Sequence, residues 1–215
     1  MNNNINPEGL VELLTRHLNY RPEIEEMRKN AIERSIPVIQ KETADLIRLL
    51  IRTSNTKSIL EIGTAIGYST SLFYETMKNG TITTIEKRHD SAIEAAQNFK
   101  RLGYSGIDLI EGDALDCISK VRGPFDMIFI DAGKSHYKSY FDEAFPLLNQ
   151  GGIVLSDNIL MNGLTINYDM NIRKNRTMVR GMRGYIEYIC NHPLLTTTLI
   201  PVGDGLAVSH YTKEK

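Results

Sequence analysis

From residue 58 onward the chain alternates short apolar β-type runs with longer stretches in which apolar residues recur every three or four positions. The runs near 58 to 62, 81 to 85, 107 to 110, 125 to 130 and 152 to 156 read as strands. The stretches near 68 to 78, 89 to 102, 114 to 121, 136 to 148 and 171 to 191 read as helices. Strands alternating with helices imply a parallel sheet joined by right-handed crossovers. Two more β-rich runs, 195 to 201 and 206 to 211, flank Val202-Gly203-Asp204-Gly205. So short a turn joins only antiparallel neighbours, because a parallel return needs a dozen residues or more, so the sheet is expected to be mixed at one edge.

Ahead of the first strand the period is helical throughout. Asn6-Pro7-Glu8 combines an N-cap residue, a proline at the first helical position and an early acid, and Leu10, Val11, Leu14 and Leu18 then share a face. A second helix opens near Pro22 with Ile24, Met27 and Ala31 on one side; a third runs from about residue 41 to residue 52. The connector Ile36-Pro37-Val38-Ile39 is unusually apolar, which suits core packing and, as the sharper alternative, a pocket wall. With no repeat, low-complexity tract or linker, a single domain over 1–215 is expected, helical over 1–53 and with its sheet over 57–215.

Composition narrows the class without choosing a function. At 215 residues and 41% hydrophobic the chain can bury a full core, and a formal charge of −1 gives no global pull toward nucleic acid or anionic membrane. Cys117 and Cys190 are far apart and outside any C-x-x-C pattern, which argues against zinc or a disulfide framework. The opening residues have neither a basic start nor an apolar core, and no uninterrupted apolar run is long enough to span a bilayer, so a cytoplasmic protein without membrane attachment is expected.

The chemistry gathers at strand ends. Lys57 to Thr70, K-S-I-L-E-I-G-T-A-I-G-Y-S-T, is a strand, a glycine-bearing turn and a helix start, as in nucleoside-binding βα units. Gly63 suits the positive φ of the turn, and Gly67 suits close approach of helix-start amides to a ligand. The G-x-x-x-G spacing departs from the dinucleotide pattern, so pyrophosphate is the poorer fit.

Each of the first five strands delivers an acid where ligands of parallel sheets sit: Glu61, Glu86, Asp113, Asp131 and Asp157. Glu86 suits two ribose hydroxyls; Asp113 suits an amino group or merely caps the following helix. Asp131, Asp157 and Asn158 supply hard oxygens and would leave open positions on Mg²⁺ or a similar divalent ion. Lys134, three residues past Asp131, is a candidate base in the same mouth, while His136 and Tyr137 read as helix-start and packing residues.

E-I-G-T-A-I-G-Y-S, the acid Glu86, G-D-A, D-A-G-K-S-H-Y, the Asp157-Asn158 pair and V-G-D-G together resemble the catechol and caffeoyl-CoA O-methyltransferase family, from about Ile36 to the C-terminus. The resemblance implies an α/β Rossmann-like fold, the seven-stranded sheet of class I S-adenosylmethionine methyltransferases with its last strand antiparallel, and usually a homodimer. It implies that Glu61 and Ser69 hold the methionine end of the donor, Glu86 the ribose, and Asp113 and Ala114 the adenine, with Ile39 over the cofactor, Gly63 at the turn and Asp131 near the methionine amine. It also implies Asp131, Asp157 and Asn158 as metal ligands and Lys134 as the catalytic lysine.

Asn171 to Arg183 carries five cations and no acid, and Arg173, Arg176, Arg180 and Arg183 repeat at helical spacing. Such a stripe suits phosphates, with a solvated or dimer-facing helix as the plainer reading. It resembles the family's bacterial tRNA 5-hydroxyuridine methyltransferases, whose substrate carries a hydroxyl beside a carbonyl much as catechol pairs its oxygens. tRNA is therefore the expected partner, with a small catechol-like phenol or an acyl-CoA phenol as alternatives. A nucleotide-binding regulator or nicotinamide enzyme on the same βα unit is the remote one.

Overall fold

A computed structural model describes residues 7–166 and 176–212. Three helices come first, α1 (Pro7–Thr15), α2 (Pro22–Glu33) and α3 (Lys41–Thr53). The alternating part follows as β1 (Ser58–Ile62), α4 (Tyr68–Met77), β2 (Thr81–Glu86), α5 (His89–Leu102), β3 (Ile107–Glu111), α6 (Ala114–Ile118) and β4 (Phe125–Ile130). A 3₁₀ turn (Lys134–His136) then leads into α7 (Tyr137–Ala144), and β5 (Leu148–Ser156), α8 (Arg176–Cys190), β6 (Leu195–Ile200) and β7 (Leu206–Tyr211) complete the order.

The seven strands lie in the order β3-β2-β1-β4-β5-β7-β6. β1 to β5 are mutually parallel, and β7 runs antiparallel between β5 and β6. The strand β7 that reverses the sheet is therefore one place inside the edge, and β6 forms the edge itself. The chain leaves β1 toward β2 on one side and returns to place β4 on the other, so β1 and β4 flank the switch point where a parallel sheet opens a crevice.

Alternation along the strands feeds two cores. Ile59, Met127 and Phe129 face α2, α3 and α4 with Ile24, Ile47, Leu72 and Phe73, whereas Leu60, Ile128 and Ile130 face α7 and α8 with Phe141, Met182 and Tyr185. Phe73 and Phe129 meet edge to face at 5.2 Å, and such a contact adds about 0.5–1.5 kcal/mol beyond burial. Because both faces are covered, the central strands are continuously apolar rather than alternating. Ile24, Met27, Ile47 and Ile51 make α2 and α3 part of the second core.

Three expected boundaries move. The helix expected over 136 to 148 ends at Ala144; Pro146 lies in a 3₁₀ turn and β5 begins at Leu148, four residues earlier than its apolar run, because Gly151 (φ +81°) accommodates a register shift against β4. The helix expected over 114 to 121 is only the five residues of α6. Of the helix expected over 171 to 191, residues 171–175 lie outside the described residues, and so does Arg173. No helix among the described residues is long and apolar enough to cross a membrane.

Candidate active site

The C-terminal ends of β1, β2, β3 and β4, together with the 36–40 connector, enclose a cavity of about 680 Å³. Its corners are tied to neighbouring strands by the backbone: Gly63 N–H donates to Ile85 C=O, Asp131 N–H to Ile62 C=O and Asp157 N–H to Ile130 C=O at 2.9 to 3.0 Å. The sheet thus holds three acid-bearing turns in one mouth. Gly63 (φ +102°) is there of necessity, since a Cβ would collide with the Asp131 carbonyl oxygen. Gly67 (φ +85°) has another reason than the ligand contact expected of it: its missing side chain leaves room for the Phe99 ring of α5.

On the β1 and β2 side, Glu86 is 8% exposed and accepts N–H bonds from Ala65 and Arg88, both at 2.8 Å. Glu61 lies beneath this wall with no exposure, and its carboxylate accepts from the hydroxyls of Ser69 (2.6 Å), Thr70 and Thr84 (2.6 Å). Burial raises its pKa to about 7 despite those three donors. Ser69 lines the cavity and Glu61 stands behind it. Asp113 caps α6 through Leu115 N–H at 3.0 Å and accepts from Lys87 Nζ at 2.8 Å, and the lysine first, then that cap, hold its carboxyl below the usual range. The capping reading of Asp113 holds, and the carboxylate also lines the cavity beside Ala114. Ile39, 4% exposed, serves as core and wall at once.

On the β4 and β5 side, Lys134 Nζ donates to Asp131 Oδ1 at 2.9 Å, to Asn158 Oδ1 at 2.7 Å and to Tyr137 Oη at 2.8 Å. Tyr137 in turn donates to the Asp157 carbonyl at 2.8 Å. Asp157 is 2% exposed, and its carboxylate accepts the Asn158 N–H at 2.7 Å. Burial, and then the charge of Asp131, push the Asp157 carboxyl up, and Asp204 adds to the push. Sequence reasoning had set Tyr137 aside as packing; its spacing of three from Lys134 was the available signal, because that spacing on a helical turn stacks two side chains.

No group of three His, Cys, Asp or Glu side chains able to hold a metal ion occurs among the described residues. The donor set here is of another kind, two carboxylates and one amide oxygen. Its chemistry fits a hard divalent ion: oxygens of Asp131 and Asn158 already converge on one cation, the lysine ammonium, beside an acid whose pKa is raised by burial and then by the charge of Asp131. Such a corner is short of positive charge.

The profile of the O-methyltransferase family matches residues 17–211. The chain belongs to the O-methyltransferase family. It is thereby an enzyme of the S-adenosylmethionine-dependent O-methyltransferase class. Among its relatives is the catechol O-methyltransferase of Niastella koreensis, 34% identical over 174 residues that cover 76% of this chain and 77% of that protein. Among solved structures, a Staphylococcus aureus protein described as a caffeoyl-CoA O-methyltransferase superposes with a TM-score of 0.88 at 36% identity, covering 95% of this chain and 98% of that one. The Bacillus cereus O-methyltransferase in complex with SAH superposes at 0.84 with 26% identity, covering 95% and 97%. The seven-stranded sheet with its antiparallel last strand is the architecture expected for the class.

Proposed function

We propose that this O-methyltransferase methylates a hydroxyl lying next to a second oxygen, with a divalent cation, Mg²⁺ or similar, held by Asp131, Asp157 and Asn158, and that its acceptor is 5-hydroxyuridine in a tRNA anticodon loop. What supports this first is Lys134, whose ammonium bridges Asp131 and Asn158 inside the cavity. S-adenosylmethionine, when bound, supplies an activated methyl group on a sulfonium that leaves as a neutral thioether. A divalent cation, when bound, supplies charge that makes a neighbouring hydroxyl more acidic.

The chain's own residues position and hold protons. Each Glu86 oxygen has already accepted one N–H and keeps a lone pair for a ribose hydroxyl. Ser69, which donates to Glu61 and lines the cavity, would hold the methionine end, with Asp131 for its amine; Asp113 and Ala114 would hold the adenine, and Ile39 and Gly63 line the same cavity. Lys134 Nζ lies in the mouth, where in its neutral form it would take the acceptor's proton and as the ammonium would hold an oxyanion, and Tyr137 keeps it there. Binding both reactants in one cavity accounts for much of the rate, because orientation replaces a bimolecular encounter.

For the acceptor, the supporting observation is that α8 packs against the 3₁₀ turn carrying Lys134 and presents Arg176 and Arg180 as exposed residues at its start. Guanidinium groups there suit the phosphates of a loop whose base is splayed outward into the cavity. Arg183, from the same sequence stripe, instead donates to the carbonyls of Thr165 (2.9 Å) and Leu164 (3.2 Å) and holds the preceding loop. The name of the Niastella koreensis relative favours a second reading, a small catechol-like phenol.

Labelled methyl transfer to tRNA containing 5-hydroxyuridine and to catechol, with Mg²⁺ and with chelator, separates the two. Transfer to the tRNA is expected, with Arg176→Ala/Arg180→Ala raising its KM by roughly tenfold and wild-type turnover weakening as salt rises. Turnover of catechol but not of the tRNA removes the RNA reading. Full turnover in chelator removes the metal.

A further inference from the structure

The V-G-D-G turn between β6 and β7 reverses the sheet and brings the charge of Asp204 near Asp157. Its contacts give it a further task. Asp204 C=O accepts the Leu160 N–H at 2.9 Å, Gly205 C=O accepts the Ile159 N–H at 3.1 Å, and Asp204 Oδ1 accepts the Asn162 N–H at 2.7 Å. These three bonds hold the segment that immediately follows Asp157 and Asn158.

That segment requires holding. Asn158 (φ +55°), Met161 (φ +51°) and Asn162 (φ +55°) are left-handed without being glycine, and Gly163 (φ +82°) continues the pattern. Left-handed backbone at three non-glycine residues within five positions persists only where surrounding contacts over-determine it. The turn is itself shaped for the contact. Gly205 (φ +84°) has no room for a Cβ, which would strike the Leu160 and Ile159 side chains, and Gly203 (φ +56°) lies against Thr43 of α3 and Gln40 just before it.

We infer that Asp204 is a positioning residue, which through the Asn162 amide and the two neighbouring backbone bonds sets the 158–162 backbone so that the Asn158 amide oxygen faces the same cation as Asp131, as both now face the Lys134 ammonium. The inference rests on the proposal that Asp131, Asp157 and Asn158 hold a divalent ion. It concerns a residue outside the cavity lining, so its substitution is expected to separate metal binding from donor binding.

The test uses the whole chain, with Mn²⁺ binding followed by its paramagnetic resonance signal, S-adenosylmethionine binding by calorimetry, and amide hydrogen exchange over 158–166. Asp204→Ala is expected to weaken Mn²⁺ binding by about tenfold or more and to speed exchange at Ile159, Leu160 and Asn162, with donor affinity within twofold of wild type. Asp204→Asn keeps an Oδ1 acceptor for the Asn162 amide and is expected to restore both readouts to within about threefold. Gly205→Ala is expected to reproduce the Asp204→Ala pattern by pushing the same segment from the other side, and it carries the test if Asp204→Ala does not fold. Wild-type affinity for Mn²⁺ in Asp204→Ala or Gly205→Ala overturns the inference, and so does an Asp204→Asn as impaired as Asp204→Ala, which would assign the effect to charge. Failure of the wild-type chain to bind Mn²⁺ overturns instead the metal reading beneath it.

Discussion

Two carboxylates buried at the same end of the sheet, Glu61 on β1 and Asp157 just past β5, are both held above the ordinary carboxylate range, and burial is the first cause in each. Their surroundings differ in kind. Glu61 accepts from three hydroxyls, of Ser69, Thr70 and Thr84, so its hydrogen-bond partners are all neutral, and the charge of Asp131 is only the last of the influences on it. Asp157 has one backbone N–H for its carboxylate, a second acid in Asp131 beside it, and a lysine whose hydrogen bonds go to Asp131, Asn158 and Tyr137. The first is a finished structural cluster. The second remains short of positive charge. Burial alone therefore does not mark a reactive acid; what matters is whether its partners are neutral donors or other charges.

The largest effect expected from breaking that contrast is at the charged corner. Lys134→Ala is expected to lower kcat by about 10²–10⁴-fold, the usual worth of a positioned proton-transfer group, with donor affinity little changed. Single-turnover methyl transfer beside calorimetric donor binding reads this directly, and a kcat within threefold of wild type removes Lys134 from the chemistry.

At the neutral corner the loss is expected in stability first. Glu61→Ala strands the buried Thr70 hydroxyl, at about 1–3 kcal/mol, whereas Thr84 keeps its bond to Thr64 and Ser69 faces the cavity, so a fall in Tm of roughly 2–12 °C is expected for a chain of this size. An unchanged Tm would make Glu61 a ligand group rather than a structural one.

The smallest effect is in pH. Glu61 has a folded pKa of about 7, against about 4.3 when unfolded. The folded state thus binds the extra proton between those values, and stability falls as pH rises from about 4.5 to 7, by a few kcal/mol at most. Glu61→Gln cannot titrate, so its deficit against wild type is expected to shrink over that window in urea unfolding. A deficit that grows instead would mean that Glu61 is ionised in the fold.

Much of this was legible before any coordinates. Every strand and helix from β1 to β7 was foreshadowed by apolar or β-rich spacing, because central strands covered on both faces must be apolar runs, the edge strands β3 and β6 keep apolar residues among exposed ones, and each crossover helix must show an apolar stripe. The acids at strand ends were legible for the same reason: strand ends follow from strand positions, and parallel strands deliver their C-termini to one side. Less legible were contacts that depend on how two elements meet. Gly67 was read as ligand-facing, whereas Phe99 from a helix some thirty residues on occupies that space. Tyr137 was read as packing, whereas its hydroxyl joins Lys134 to the Asp157 backbone. Of the arginine stripe, one-dimensional spacing could not tell Arg183, bound to Leu164 and Thr165 carbonyls, from Arg176 and Arg180, exposed at the helix start.

The order of apolar and polar residues by itself determined the element types, the parallel sheet with its antiparallel return, and which strand ends carry oxygen donors, since those follow from local period and turn length alone. Only the tertiary structure decided which of those donors are spent on neutral partners and which share a cation, because that depends on Thr84 of β2 and the start of α4 reaching Glu61 on β1, and on Asp131 after β4 and Asn158 after β5 both meeting Lys134 within 3 Å, distances no spacing along the chain encodes.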